Sequence, residues 1–198
     1  MSDLTRTAIV EYLAQSRDAV QRAIDDPHFA DTLTRIADLV AAALTAGGKL
    51  LLVGNGGSAA DAQHIAGELV GRLNYDRAPL AAVALTADAA VLTATGNDYG
   101  YDAVFARQVR ALARAGDVLL ALSTSGRSAS VLRAIETARE LGIAVVGFTG
   151  EGGGEMEAGC ELCLRAPSNS TQLVQQIYMA AAHILCALVE ERLRPAPP

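Results

Sequence analysis

The stretch Gly54-Asn55-Gly56-Gly57-Ser58-Ala59-Ala60-Asp61-Ala62-Gln63-His64-Ile65-Ala66-Gly67-Glu68 constrains this chain more than any other. It follows the apolar run at 49–53, which reads as a buried parallel strand. Adjacent glycines at 56 and 57 let the backbone turn sharply and come close to a ligand. Ser58 marks the start of a helix, so backbone N–H groups and a hydroxyl converge where an anion is favoured. Along that helix His64 and Glu68 are four residues apart and face the same way. An imidazole beside a carboxylate can bind a metal or move protons. One strand–loop–helix unit thus combines anion binding with acid–base chemistry.

The rest of the chain places that unit in a larger alternation. Apolar residues recur at helical spacing in Ile9, Val10 and Leu13, then in Leu33, Ile36, Leu39, Val40, Ala43 and Leu44. They predict a helical pair within 1–47, stopped by Gly47-Gly48. Strands are predicted at 49–53, 81–85, 117–122, 143–148 and 161–165, and helices at 58–73, 88–95, 102–114, 128–141 and 171–193. Such alternation predicts an α/β fold, a three-layer αβα sandwich around a five-stranded parallel sheet. Ligands bind such sheets at the C-terminal ends of the strands. Residues 150–154, Gly-Glu-Gly-Gly-Gly, read as a flexible loop, and the tail Pro195–Pro198 as disordered.

Composition narrows the function classes. The 198 residues suit one domain over 1–198, and 51% hydrophobic content is ample for a core. With only 4% aromatic residues and no Trp, that core is built from Ala, Val, Leu and Ile. A net charge of −6 gives no basic footprint for nucleic acid. The first 17 residues carry acidic groups and no long apolar run, unlike a signal peptide. No apolar stretch reads as membrane-spanning without a charge or turn residue. Three cysteines, an odd number, fit a reduced cytoplasmic protein. Cys160-x-x-Cys163 is a weak zinc or redox signal. On a strand, residues three apart point to opposite faces, so both are expected to be buried free thiols.

A second chemical loop follows the strand at 117–122. Ser123-Thr124-Ser125-Gly126-Arg127-Ser128 packs hydroxyls and a glycine into a strand-to-helix turn. A helix cap needs one hydroxyl; this run offers several, with the helix dipole behind them, as a phosphate cradle would. Asn97-Asp98-Tyr99-Gly100 forms a polar knot expected as a turn between helices. The last helix is apolar on more than one side, from Val174 to Val189, yet carries Gln175 and His183.

Taken together, these motifs resemble the sugar isomerase (SIS) domain family over nearly the whole chain. The resemblance implies a flavodoxin-like sheet with two N-terminal helices and a long C-terminal helix. It implies an aldose–ketose isomerase acting on D-sedoheptulose 7-phosphate to give D-glycero-D-manno-heptose 7-phosphate, a precursor of ADP-heptose for surface glycans. It assigns Asn55, Gly56, Gly57, Glu68, Asn97, Asp98 and Gln175 to the sugar, and Ser123, Thr124, Ser125 and Ser128 to its phosphate. His64, Glu68, Gln175 and His183 would bind one zinc ion per subunit, with Glu68 and His183 also acting in proton transfer. A homotetramer with composite active sites is implied as well. In the last helix the chain departs from the family's Ile-Gln-Glu and early His, with Val174-Gln175-Gln176 and Tyr178 instead. Similar domains serve as non-enzymatic assembly factors such as a replication-initiation regulator, as sugar-phosphate sensors, or as isomerases of other sugar phosphates. Only the isomerases have reason to keep His64, Glu68 and His183 together.

Overall fold

A computed structural model describes residues 3–194. The expected disorder at 195–198 lies outside the described residues. Helices α1 (Asp3–Asp25) and α2 (Pro27–Thr45) form the N-terminal pair. Asp26 separates them; its carboxylate accepts the His28 N–H and Pro27 takes the first helical position. Then follow β1 (Leu50–Gly54), α3 (Gly57–Val70), β2 (Ala82–Ala84), α4 (Ala89–Tyr99) and a 3-10 turn at Tyr101–Ala103. The chain continues through α5 (Val104–Leu112), β3 (Val118–Ser123), α6 (Ala129–Glu140), β4 (Ala144–Thr149), a second 3-10 turn at Glu157–Gly159, β5 (Leu162–Arg165) and α7 (Thr171–Arg192).

The five strands are all parallel, in the order β2-β1-β3-β4-β5, which is the flavodoxin-like order. Because strand side chains alternate in direction, each strand serves two cores. Leu50, Leu52, Leu120, Leu122, Val146 and Phe148 pack under α2, α3 and α7. Leu51, Val53, Leu119, Ala121 and Val145 pack under α5 and α6. The chain after β1 therefore leaves toward one face and the chain after β3 toward the other. Between these adjacent strands lies the switch point where such sheets open a crevice.

Three expectations change. α4 runs through Asn97 and Asp98 rather than ending before them. Asp88 caps its start by accepting the Val91 N–H, and the helix stops only at Gly100, whose φ of 84° breaks it. The loop at 150–154 is not loose: Gly150 N–H donates to Thr124 O and Met156 N–H to Gly126 O, lashing it to the serine loop. Finally, α7 is long and apolar enough to cross a membrane by length and composition, with 50% of that stretch buried inside the fold. Its buried face packs on α2 and α3.

Candidate active site

The crevice is closed by a bond network that local sequence implies only in part. Asn55, in the turn just after β1, donates from Nδ2 to Ser128 Oγ at 2.7 Å and to Ser130 Oγ at 2.9 Å. Its Oδ1 accepts the Tyr101 hydroxyl at 2.8 Å. The two chemical loops, 73 residues apart in sequence, are thereby joined across the β1–β3 switch point. Ser130 and Tyr101 are not among the residues the sequence assigns to the site. Tyr101 carries no local signal, since the 3-10 turn that aims it forms only once α4 runs on to Tyr99.

The serine loop has the makings of an anion site. Ser128 occupies the N-cap of α6 but makes no side-chain cap bond; its hydroxyl goes to Asn55 instead. The first N–H groups of α6 thus keep no side-chain partner, and the helix dipole points at the loop. α3 likewise begins at Gly56 with no side-chain cap. Gly126 has a φ of +64°, and a Cβ on it would lie 2.1 Å from Gly153 O, so only glycine lets the loop at 150–154 press so close. The two loops enclose a cavity of about 220 Å3 lined by Thr124, Ser125, Arg127 and Asn169. Ser123 ends β3 and is buried beneath the loop, while Ser125 is exposed. Asn97 and Asp98 are exposed at the end of α4 and bond to each other.

The acid–base group sits further along α3. His64 Nε2 lies 2.9 Å from His183 Nε2 and 3.2 Å from Glu68 Oε1. One ligand atom from each of the three lies within 4.8 Å of the others. The juxtaposition follows from α3 and α7 running side by side in the same direction. Gly57 meets Gln175, His64 meets His183, and Glu190 meets the chain just past α3. An imidazole Nε2 has a single position for a proton or a lone pair. It cannot satisfy both neighbours by hydrogen bonds, but a cation between the three would satisfy all of them. The donor set suits zinc. Gln175 is not part of this cluster within the chain. Its Nε2 occupies the space a Cβ on Gly57 would need, at 2.2 Å, and eight helical residues to His183 amount to about 12 Å.

Other groups shape the surroundings. Asp61, one turn before His64, has its Oδ2 buried with no hydrogen-bond partner among the described residues. Burial raises its pKa, although His64 nearby works the other way. Glu190 is fully buried and accepts from Leu73 N–H, Asn74 N–H and Arg77 Nε, each at 2.9 Å. Burial pushes its carboxyl up, but those donors and the guanidinium charge outweigh it and hold it below its ordinary range. Arg77 in turn donates to the Glu68 and Leu69 carbonyls, so the pair fixes the end of α3 that carries Glu68. The two departures in the last helix fall outside the cluster. Tyr178 is buried with its hydroxyl on Phe148 O at 2.6 Å, and Gln176 donates to Tyr12 of α1 at 3.2 Å.

The serine-loop crevice and the imidazole–carboxylate cluster thus stand on one parallel sheet. A family model described as SIS domain matches residues 11–150, and the chain belongs to that family. Its similarity extends to the phosphoheptose isomerases. It is 57% identical over 164 residues to the phosphoheptose isomerase of Rhodospirillum rubrum, covering 83% of this chain and 87% of the relative. It is 53% identical over 193 residues to that of a Bradyrhizobium species, with 98% of each chain covered. Among solved structures, phosphoheptose isomerase GmhA from Neisseria gonorrhoeae superposes with a TM-score of 0.89 at 40% identity, covering 94% of this chain and 99% of that one. The Vibrio vulnificus NanR protein complexed with ManNAc-6P shares the fold alone, at 19% identity and a TM-score of 0.68.

Proposed function

We propose that this chain is an aldose–ketose isomerase that converts D-sedoheptulose 7-phosphate to D-glycero-D-manno-heptose 7-phosphate through an enediol(ate). The observation that carries the reading is the convergence of His64, Glu68 and His183 on the fold that also presents the serine loop. The high identity to proteins named phosphoheptose isomerase supports the same substrate. A scaffold or sensor has no use for the cluster.

In this reading Thr124, Ser125, Ser128 and the α6 N-terminus hold the phosphate, with Ser123 beneath them. Asn55, Gly56, Gly57, Asn97, Asp98 and Gln175 line the sugar. Phosphate binding does no chemistry; it fixes the reacting carbons against the base. Glu68 takes a proton from C1 of the ketose while His183 gives one to the C2 carbonyl oxygen. The enediol then loses its O1 proton to His183 as Glu68 returns a proton to C2.

His64, Glu68 and His183 would hold the zinc ion, one per subunit. Bound there, it supplies Lewis-acid polarisation of the substrate oxygens. Gln175, about two helical turns away, joins this set from a neighbouring copy. A homotetramer with composite sites accounts for that, and for α1 presenting Ile9, Val10, Leu13 and Ile24 to solvent. The enzyme is read as cytoplasmic, feeding ADP-heptose and surface-glycan synthesis.

Incubating the zinc-loaded protein with sedoheptulose 7-phosphate, with and without chelator, tests the assignment. The aldose product, followed by NMR, should form and be suppressed by the chelator. No product from the zinc-loaded protein would overturn the reading.

A further inference from the structure

The Cys160-x-x-Cys163 motif takes no part in the site, and its sulfurs do not lie where a strand would put them. Cys160 precedes β5, closing the 3-10 turn Glu157–Gly159 with its N–H on Glu157 O. A bend at Glu161 follows, and only then does the strand begin. The two side chains therefore converge instead of diverging. On the neighbouring strand, Gly147 pairs with Cys163. A Cβ there would stand 2.8 Å from Cys160 Sγ and 3.2 Å from Cys163 Sγ. The missing side chain leaves a space bordered by both sulfurs and, at 2.8 Å, by the Met156 methyl.

We propose that Cys160 and Cys163 form a reversible dithiol–disulfide pair, a modification site for low-molecular-weight disulfides such as glutathione disulfide. Both residues are half-buried, and Cys160 borders a surface cavity of about 340 Å3 together with Arg139. The thiolate is the attacking species. Cys160 is the more readily ionised of the two, because the neighbouring Cys163 thiol lowers its pKa, against burial and the Glu157 charge and with help from Arg139. Cys163 is correspondingly raised, by that same bond first and by burial next. Cys160 attacks one sulfur of the glutathione disulfide and expels one thiolate, leaving a mixed disulfide. Cys163 then gives up its proton and attacks the Cys160 sulfur, expelling the second thiolate. Two protein thiols are oxidised by two electrons, and one small disulfide is reduced to two thiols. Half-exposed pairs of this kind are the labile ones in a reducing compartment. The pair sits on the segment whose Met156 N–H holds Gly126 of the serine loop.

The test is independent of the catalytic reading. Full-length protein is reduced, freed of reductant and treated with glutathione disulfide, then examined by intact mass and peptide mapping. The wild type should lose two hydrogens, gain a Cys160–Cys163 link and recover fully with dithiothreitol. Cys163→Ser should stop at a glutathione adduct on Cys160. Cys186, buried and with its thiol pushed up to about 12 chiefly by burial, should stay free in both. A stable glutathione adduct on the wild type, a bridge to Cys186 or to a second subunit, or no reaction at all would overturn the proposal.

Discussion

His64 and His183, 119 residues apart in the chain, bring their Nε2 atoms to 2.9 Å. Two rings meet this way in water only when one donates to the other, or when both turn lone pairs toward a cation. The Glu68 carboxylate beside them favours the cation. His183→Ala should therefore lower the zinc content measured by elemental analysis and lower activity in step. Unchanged zinc with lost activity would leave His183 a proton donor and not a ligand.

Phosphate binding should separate from chemistry. Ser125 is exposed in the loop, and Ser128 is held by Asn55. Hydrogen bonds to a charged group contribute about 1.5–3 kcal/mol, so each hydroxyl lost should raise KM by roughly tenfold or more. Ser125→Ala with Ser128→Ala should raise KM far more than it lowers kcat. An effect confined to kcat would count against the cradle.

The apolar face of α1 should be an interface. Leu13 and Ile24 are 62% and 70% exposed, so most of their apolar surface faces solvent in the single chain. Leu13→Asp with Ile24→Asp should reduce the mass seen by light scattering and cost activity, since Gln175 would lose its partner cluster. A wild-type protein that is monomeric and active would refute composite sites.

Glu190 should make stability acid-sensitive. Its folded carboxyl lies below the ordinary value of 4.5, so its contribution is complete above that value and lost as pH falls through the folded one. Glu190→Gln should cost about 3–5 kcal/mol near neutral pH, because Arg77 stays buried without its partner. The variant's denaturation midpoint should also vary less with pH below 4.5 than that of the wild type. Parallel pH profiles for the two proteins would show that Glu190 is not the group responsible.

What could be read from the sequence was local. Glycine turns, the serine loop and the His64–Glu68 spacing announce their chemistry within a few residues, and regular alternation yields the sheet. Asn97 and Asp98 lie inside α4 because the helix that Asp88 starts runs on until Gly100 ends it, and the turn-type residues between them do not show this locally. Cys160 and Cys163 point the same way because β5 begins only at Leu162, two residues after Cys160, so the strand alternation expected of both holds only for Cys163. The Arg77–Glu190 pair and the Tyr101–Asn55 bond link residues 113 and 46 positions apart. No short-range pattern encodes them; they exist only once α7 lies beside α3 and α4 has turned.

The isomerase mechanism depends on Glu68 as the base, and turnover of Glu68→Gln on sedoheptulose 7-phosphate measures that dependence. The substitution keeps size and hydrogen bonding but removes basicity. With zinc content measured on the same sample and restored if it falls, kcat should drop by about 10²–10⁴ while substrate still binds. A zinc-loaded variant that isomerises the substrate at close to the wild-type rate would contradict the mechanism.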